Sequence, residues 1–372
     1  MGPRSRRIVS IQALRLIAAL LATWPHACLF AQLLARHLGA DLPDLPGAAL
    51  GKSGVDVFFV ISGFVMVHAS QRLYGVPGSR RQFLLRRIVR VVPMYWLATV
   101  ALLAWSLHTH DPPWDGLTLA TSLGFIPYPG LGNHGAVVPL LPPGWTLNFE
   151  MLFYLVFALC LAGSAARTTA RVGGLLVAAV ALGMAVALPL PFAVWTNPIT
   201  LEFVAGMAIA LAYRRGVTLP VWLRVGLVIA ALVILAGASP DGSPDAIGWP
   251  RVAGFGVPGA LVLAAATLGP LDLACAGLWN YGGAISYALY LWNWPLLLVV
   301  NREDYRLVIA AQQHGLFPAG ARFGYGAQLM LAVILLAAAT ALAAIVYSVV
   351  ERPLTQVLSR HLVARRHADA RG

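Results

Sequence analysis

The sequence is short of charge. Asp, Glu, Lys and Arg make up 11% of its 372 residues, against about 25% in soluble domains. A water-soluble surface for a chain this long needs more ionic groups than that, which excludes a soluble enzyme and a disordered tail protein. Lysine is nearly missing: of 26 basic residues only Lys52 is a lysine. Cysteine is scarce as well. Cys28, Cys160 and Cys275 have neither metal nor redox spacing, which excludes a secreted disulfide scaffold and leaves them as small buried apolar side chains. No HExxH, Walker A or GxSxG pattern and no metal-spaced histidine cluster occurs. The sequence therefore offers no sign of a bound metal.

What is abundant is apolar. Hydrophobic residues reach 59% and the mean hydropathy is +0.76. The 36 glycines and 25 prolines sit among long apolar runs, as membrane helices tolerate. A bilayer core of about 30 Å takes about 20 apolar residues in a helix. Ten segments meet that need: 8–36, 54–72, 88–107, 147–163, 171–190, 197–213, 220–238, 252–269, 283–301 and 327–350. The fold class they predict is all-α, a polytopic membrane bundle. It covers 1–353 and is followed by a basic tail over 354–372. Segment 117–127 is too short to span and reads as a re-entrant or interfacial piece. The first span runs too long from its basic start to be a cleaved signal peptide, and no internal repeat is visible.

A net charge of +12 in a soluble chain would point to nucleic acid. Here the arginines fall between apolar spans and read instead as an orientation signal. With the N-terminus in the cytoplasm, 19 basic residues lie inside and 6 outside, Arg15 excepted. That places both termini in the cytoplasm.

Ionisable residues within spans are costly and mark function by default. Arg15 and His26 are 11 positions apart, within about 20° of three full turns, so they share a helix face ~16.5 Å apart. Pro25 removes a backbone hydrogen bond beside His26. Arg86, Arg87 and Arg90 enter the third span; Arg87 and Arg90 stand one turn apart and converge on one anion, with the planar forks that suit phosphate. Orientation or lipid headgroup binding accounts for them equally. Glu150 and Asp56 enter their spans from the outer side. A buried carboxylate there either orients an imidazole, accepts from a sugar hydroxyl or locks helices together. Glu202 has the look of a partner for an intramembrane arginine. Residues Ser286–Pro295 form either a polar pocket wall or an aromatic belt, while His108, His110, His134 and His314 fall in loops.

Six features occur in one order: Arg15-x10-His26, Gly54–Phe64, Arg87-x-x-Arg90 before Pro93, Trp145–Glu150–Tyr154, Ser286–Pro295 and Glu351-Arg352-Pro353. In that order the chain resembles the acyltransferase-3 family of bacterial membrane O-acyltransferases, and within it the succinoglycan-type branch that acetylates exopolysaccharides. The resemblance implies a ten-helix core in the bacterial inner membrane. It moves acetyl groups from cytoplasmic acetyl-CoA to hydroxyls of a polysaccharide or lipid-linked glycan, beside polysaccharide-synthesis machinery. It also implies that Arg15 and His26 are the essential pair and that Arg87 and Arg90 serve the acyl donor. Relatives often carry histidine where this chain has Asn293. The chain ends about 20 residues after its last span, so no extracytoplasmic hydrolase-like domain is expected.

The geometry fits this implication, with His26 as general base, Glu150 or Asp56 holding the imidazole or the sugar, and the arginines at the donor phosphates. Direct transfer and an acetyl-histidine intermediate both remain open. On composition a glycan or metabolite transporter or flippase suits the same residues, and the family also includes acylation of small metabolites such as macrolides.

Overall fold

The computed structural model describes residues 8–38, 40–109, 114–130, 137–238, 248–313 and 324–364. The N-terminal arginines Arg4, Arg6 and Arg7, the loop histidines His110, His134 and His314, and positions 365–372 of the tail lie outside them. Every regular element among the described residues is helical, because a chain in hydrocarbon must satisfy its backbone polar groups within each segment.

In chain order the helices are α1 (Val9–His37), α2 (Ala48–Gly51), α3 (Ser53–Ala69), α4 (Ser79–His108) and α5 (Gly116–Leu123). Next come α6 (Trp145–Cys160), α7 (Ala165–Ala185), α8 (Phe192–Trp195), α9 (Leu201–Arg214) and α10 (Val221–Gly237). The last are α11 (Trp249–Arg251), α12 (Val257–Thr267), α13 (Ala276–Gln313), α14 (Tyr325–Val346) and α15 (Arg352–Leu358). Wide-turn π-helical stretches at Val252–Gly256 and Tyr347–Glu351 join α11 to α12 and α14 to α15.

Each of the ten apolar segments coincides with a helix, and among the described residues eight helical stretches are long and apolar enough to cross a membrane, four of them (Ala48–Ala69, Pro142–Cys160, Trp249–Thr267 and Tyr325–Leu362) running through consecutive elements. The other two fall short on length. Helix α10 has 17 residues and α9 has 14, about 26 and 21 Å at 1.5 Å per residue against a core of about 30 Å. The fold is therefore an all-α polytopic bundle. Segment 117–127 becomes the eight-residue α5, held on α4 by Tyr95 and Ser122 hydroxyls 2.8 Å apart and by Trp96 Nε1 donating to Leu123 O. His108 is the last residue of α4 rather than part of a loop.

Glycines let the central helices touch. A Cβ on Gly54 would lie 2.3 Å from Ala18 O, on Gly63 2.1 Å from Phe203 O, and on Gly206 1.9 Å from Val60 O. Helix α3 is thus packed backbone to backbone against α1 and α9, the close approach that small residues permit between membrane helices. Gly282 and Gly283 leave room on α13 for Leu16 and Gln12 of α1. Aromatic residues fill the remaining space around α3: Phe153 stacks on Phe203 with centroids 4.3 Å apart, and Phe59 lies 4.9 Å from Phe203. Cys28 and Cys160 are buried as expected, but Cys275 is exposed in a turn at φ +56. Its place just before α13, not its apolar neighbours, decides its exposure.

Candidate active site

The helices that matter most each carry an interior proline: Pro25 in α1, Pro93 in α4 and Pro295 in α13. Each proline lacks an N–H and frees a carbonyl one turn earlier. Helix α1 runs unbroken through Pro25, and Gly51 of α2 fits into that notch, where a Cβ would meet Leu21 O at 2.6 Å and the Pro25 ring at 2.7 Å.

Between α1, α3, α4, α6 and α13 lies a cavity of about 100 Å³. Arg15 from α1, Arg87 and Arg90 from α4, and Glu150 from α6 all line it, together with Tyr154, Tyr287 and Tyr290. The sequence spacing of Arg87 and Arg90 thus places both on one wall. The Arg87 guanidinium lies over the rings of Phe83 and Tyr154, 5.4 and 5.9 Å from their centroids, and its buried Nε has no hydrogen-bond partner. Glu150 Oε1 accepts from the Ser62 hydroxyl at 3.1 Å and from the Tyr154 hydroxyl. Arg15 feels the charges of Arg90, Glu351 and Glu150. Three guanidinium groups and one carboxylate therefore line the cavity, and even with the nearby charge of Glu351 it keeps a positive surplus. Tyr287 and Tyr290 settle the two readings of the Ser286–Pro295 stretch in favour of a pocket wall.

His26 does not line this cavity; it sits one layer beyond. Its Nδ1 lies 2.8 Å from Asn293 Oδ1 on α13, and the Trp294 ring packs edge-on at 5.0 Å. The Asn293 amide nitrogen donates to Leu289 O at 2.8 Å and Tyr290 O at 2.7 Å. Those two carbonyls fix which end of the amide faces the imidazole, because a flipped amide would set oxygen against oxygen. With Oδ1 toward His26, Nδ1 must carry the hydrogen, and Nε2 keeps its lone pair. Asn293 is joined to the cavity wall through the Tyr290 carbonyl. The Tyr290 hydroxyl in turn donates to Pro143 O and meets the Thr146 hydroxyl. Thus Arg15 lines the cavity, whereas His26, eleven residues further along α1, meets Asn293 and Trp294 of α13.

Asp56 is elsewhere. Fully buried, it accepts from Arg251 Nε at 3.0 Å and Nη2 at 2.8 Å. The structure gives this carboxylate to Arg251, not to the imidazole, because the Val252–Gly256 segment brings α11 against the start of α3. The Arg251 guanidinium also lies 5.4 Å over Trp145 and 5.7 Å over Phe255. Glu202 stands beside the pair, packed so closely against the Val252–Gly256 stretch that a Cβ on Gly256 would lie 2.4 Å from its Oε1. Arg86 is exposed and lines no part of the cavity. Sequence reasoning missed two partners: Asn293 for His26 and Arg251 for Asp56. The first had a signal, a polar residue amid Trp292, Trp294 and Pro295. The second had none, since 195 residues separate the pair.

The acyltransferase domain family matches residues 8–349 of the chain. The exopolysaccharide production protein ExoZ of Rhizobium meliloti is 36% identical over 313 residues, covering 82% of this chain and 90% of that protein. The acyltransferase MdmB of Streptomyces mycarofaciens is 28% identical, covering 97% of this chain and 95% of its own. Protein 2 in the picA locus of Rhizobium radiobacter is 29% identical over 168 residues, 41% of this chain and 81% of that protein. No solved structure matches the chain.

Proposed function

The chain belongs to the acyltransferase domain family and is a membrane O-acyltransferase, and from that premise we propose that it transfers acetyl from cytoplasmic acetyl-CoA to a hydroxyl of an exopolysaccharide or lipid-linked glycan. The membrane is the bacterial inner membrane, with both termini in the cytoplasm. The similarity to an exopolysaccharide production protein supports the acceptor class. The positive surplus at Arg15, Arg87 and Arg90 supports an anionic donor.

The observation that carries the reading is the hydrogen bond from His26 Nδ1 to Asn293. It leaves Nε2 as the basic atom, ready to take the acceptor's O–H proton as that oxygen attacks the thioester carbonyl. The tetrahedral intermediate then collapses, the C–S bond breaks, and the thiolate leaves as CoA-SH with the proton held on Nε2. The ester and the thiol are the products, and His26 returns to its starting state. Asn293 keeps the ring in one tautomer throughout. Tyr290 and Thr146, between the cavity and the imidazole layer, position α6 against α13. Glu150, tied to Ser62 and Tyr154, holds the cavity wall beside the arginines.

The test uses purified protein, acetyl-CoA and an acceptor glycan, following release of free thiol and formation of the ester. His26→Ala is expected to lower kcat by about 10²–10⁴, the usual worth of a positioned base, with insertion and yield unchanged. Ordinary turnover by that variant would refute the base assignment. Wild-type protein that moves glycan across vesicles without releasing thiol would refute the donor and favour a carrier.

A further inference from the structure

A second cavity, of about 600 Å³, lies where α4 and α7 begin. It is lined by Arg80, Arg81, Arg167 and Arg171, together with glycines of the two loops, and by no acidic side chain. The loops are pinned together: Gly75 N–H donates to Ala162 O at 3.3 Å. Gly75 at φ +75 faces Gly163, so neither loop puts a side chain between them. Helix α4 opens at Gly78 without a side-chain cap, leaving first-turn N–H groups free of side-chain partners. Arg167 and Arg171 stand at i,i+4 and share a face of α7.

Orientation in the membrane needs only charge on one side. It does not need four exposed guanidinium groups around one groove, beside the positive ends of two helices. The volumes also differ in a useful way. The inner cavity of about 100 Å³ is too small for a nucleotide and suits a slender pantetheine arm, whereas organic ligands of nucleotide size occupy pockets of about 300–1,000 Å³. Along α4, Arg80 stands seven residues from Arg87 and ten from Arg90, about 10–15 Å of helix, a span that an extended pantetheine arm bridges.

We propose that this arginine-lined groove binds the phosphorylated nucleotide end of the acyl-CoA donor, while the inner cavity takes the pantetheine arm that carries the thioester on toward the His26 layer. The proposal rests on the acetyl-CoA reading above. The chemistry recognised is a cluster of phosphates, which an anionic lipid headgroup also offers, so the experiment separates the two sources.

The full chain in phosphatidylcholine nanodiscs is titrated with adenosine 3′,5′-bisphosphate, which carries no thioester. Wild-type protein is expected to bind it, and Arg167→Ala with Arg171→Ala to weaken binding at least tenfold. Both side chains are exposed, so the pair leaves packing intact. Arg167→Lys with Arg171→Lys keeps the charge that orients the helices and removes the planar forks; it is expected to weaken binding severalfold. In turnover, the alanine pair should raise KM for acetyl-CoA at least tenfold more than KM for acetyl-pantetheine. Bisphosphate affinity unchanged in both pairs would overturn the proposal. Absent bisphosphate binding, with phosphatidylglycerol retained by wild type and lost by the alanine pair, would assign the cavity to lipid and overturn it as well. Bisphosphate binding by a wild-type protein that never turns over acetyl-CoA would instead refute the acetyl-CoA reading and leave a phosphate site in place.

Discussion

Among the described residues, two of the buried groups of charges are built differently. At the start of α3, Asp56 and Arg251 close on each other through two hydrogen bonds, roofed by Trp145 and Phe255. Around the inner cavity, Arg15, Arg87 and Arg90 outnumber Glu150, and Arg87 keeps an unpartnered Nε. The closed pair consumes its own charge and joins α3 to α11. The open group keeps charge to spend on a ligand. Burial of a charge therefore does not by itself mark catalysis; what distinguishes the two groups is whether the charge is already matched and whether a cavity adjoins it.

The sharpest way to break this contrast is to remove a cation from each group. Arg251→Ala leaves Asp56 uncompensated in a fully buried position, a change expected to cost about 3–5 kcal/mol and to show as a lower Tm and poor yield. Arg87→Ala removes one of a surplus and should leave Tm nearly unchanged. Equal destabilisation by the two would erase the distinction. The double variant Arg87→Ala with Arg90→Ala is expected to weaken acetyl-CoA binding at least tenfold while acceptor binding stays close to wild type. Equal losses for both ligands in titration would mean that the cavity is not specific to the donor. The smallest effect is expected from Asn293→Ala. It frees the imidazole to take either tautomer and should lower kcat severalfold, to about tenfold, with KM held. A matched rise in KM would instead make Asn293 a ligand contact.

Much of this architecture was legible from periodicity and composition. Apolar runs of about 20 residues have one stable form in a bilayer, so all ten segments are helical. The Arg87–Arg90 spacing is local helix geometry and places both on the cavity wall, whereas Arg15 lines that cavity and His26 does not. The partners of the site were harder to read. Asn293 meets His26 across 267 positions and Arg251 meets Asp56 across 195, and pairing at that range comes from packing between helices. The π-helical segments at Val252–Gly256 and Tyr347–Glu351 were hidden for a related reason: a shift in hydrogen-bond register leaves no mark on hydropathy. Arg251 therefore looked like one more orientation charge, and Asp56 looked free to serve the imidazole.

The central claim is that the His26 imidazole, held in one tautomer by Asn293, is the base for acetyl transfer from the inner side to a surface glycan. Mass spectrometry of the polysaccharide from cells making wild-type protein or His26→Ala, at equal membrane levels, tests it most directly. The account predicts sugars lighter by one acetyl group in the variant; polysaccharide acetylated to the same extent in both would contradict it.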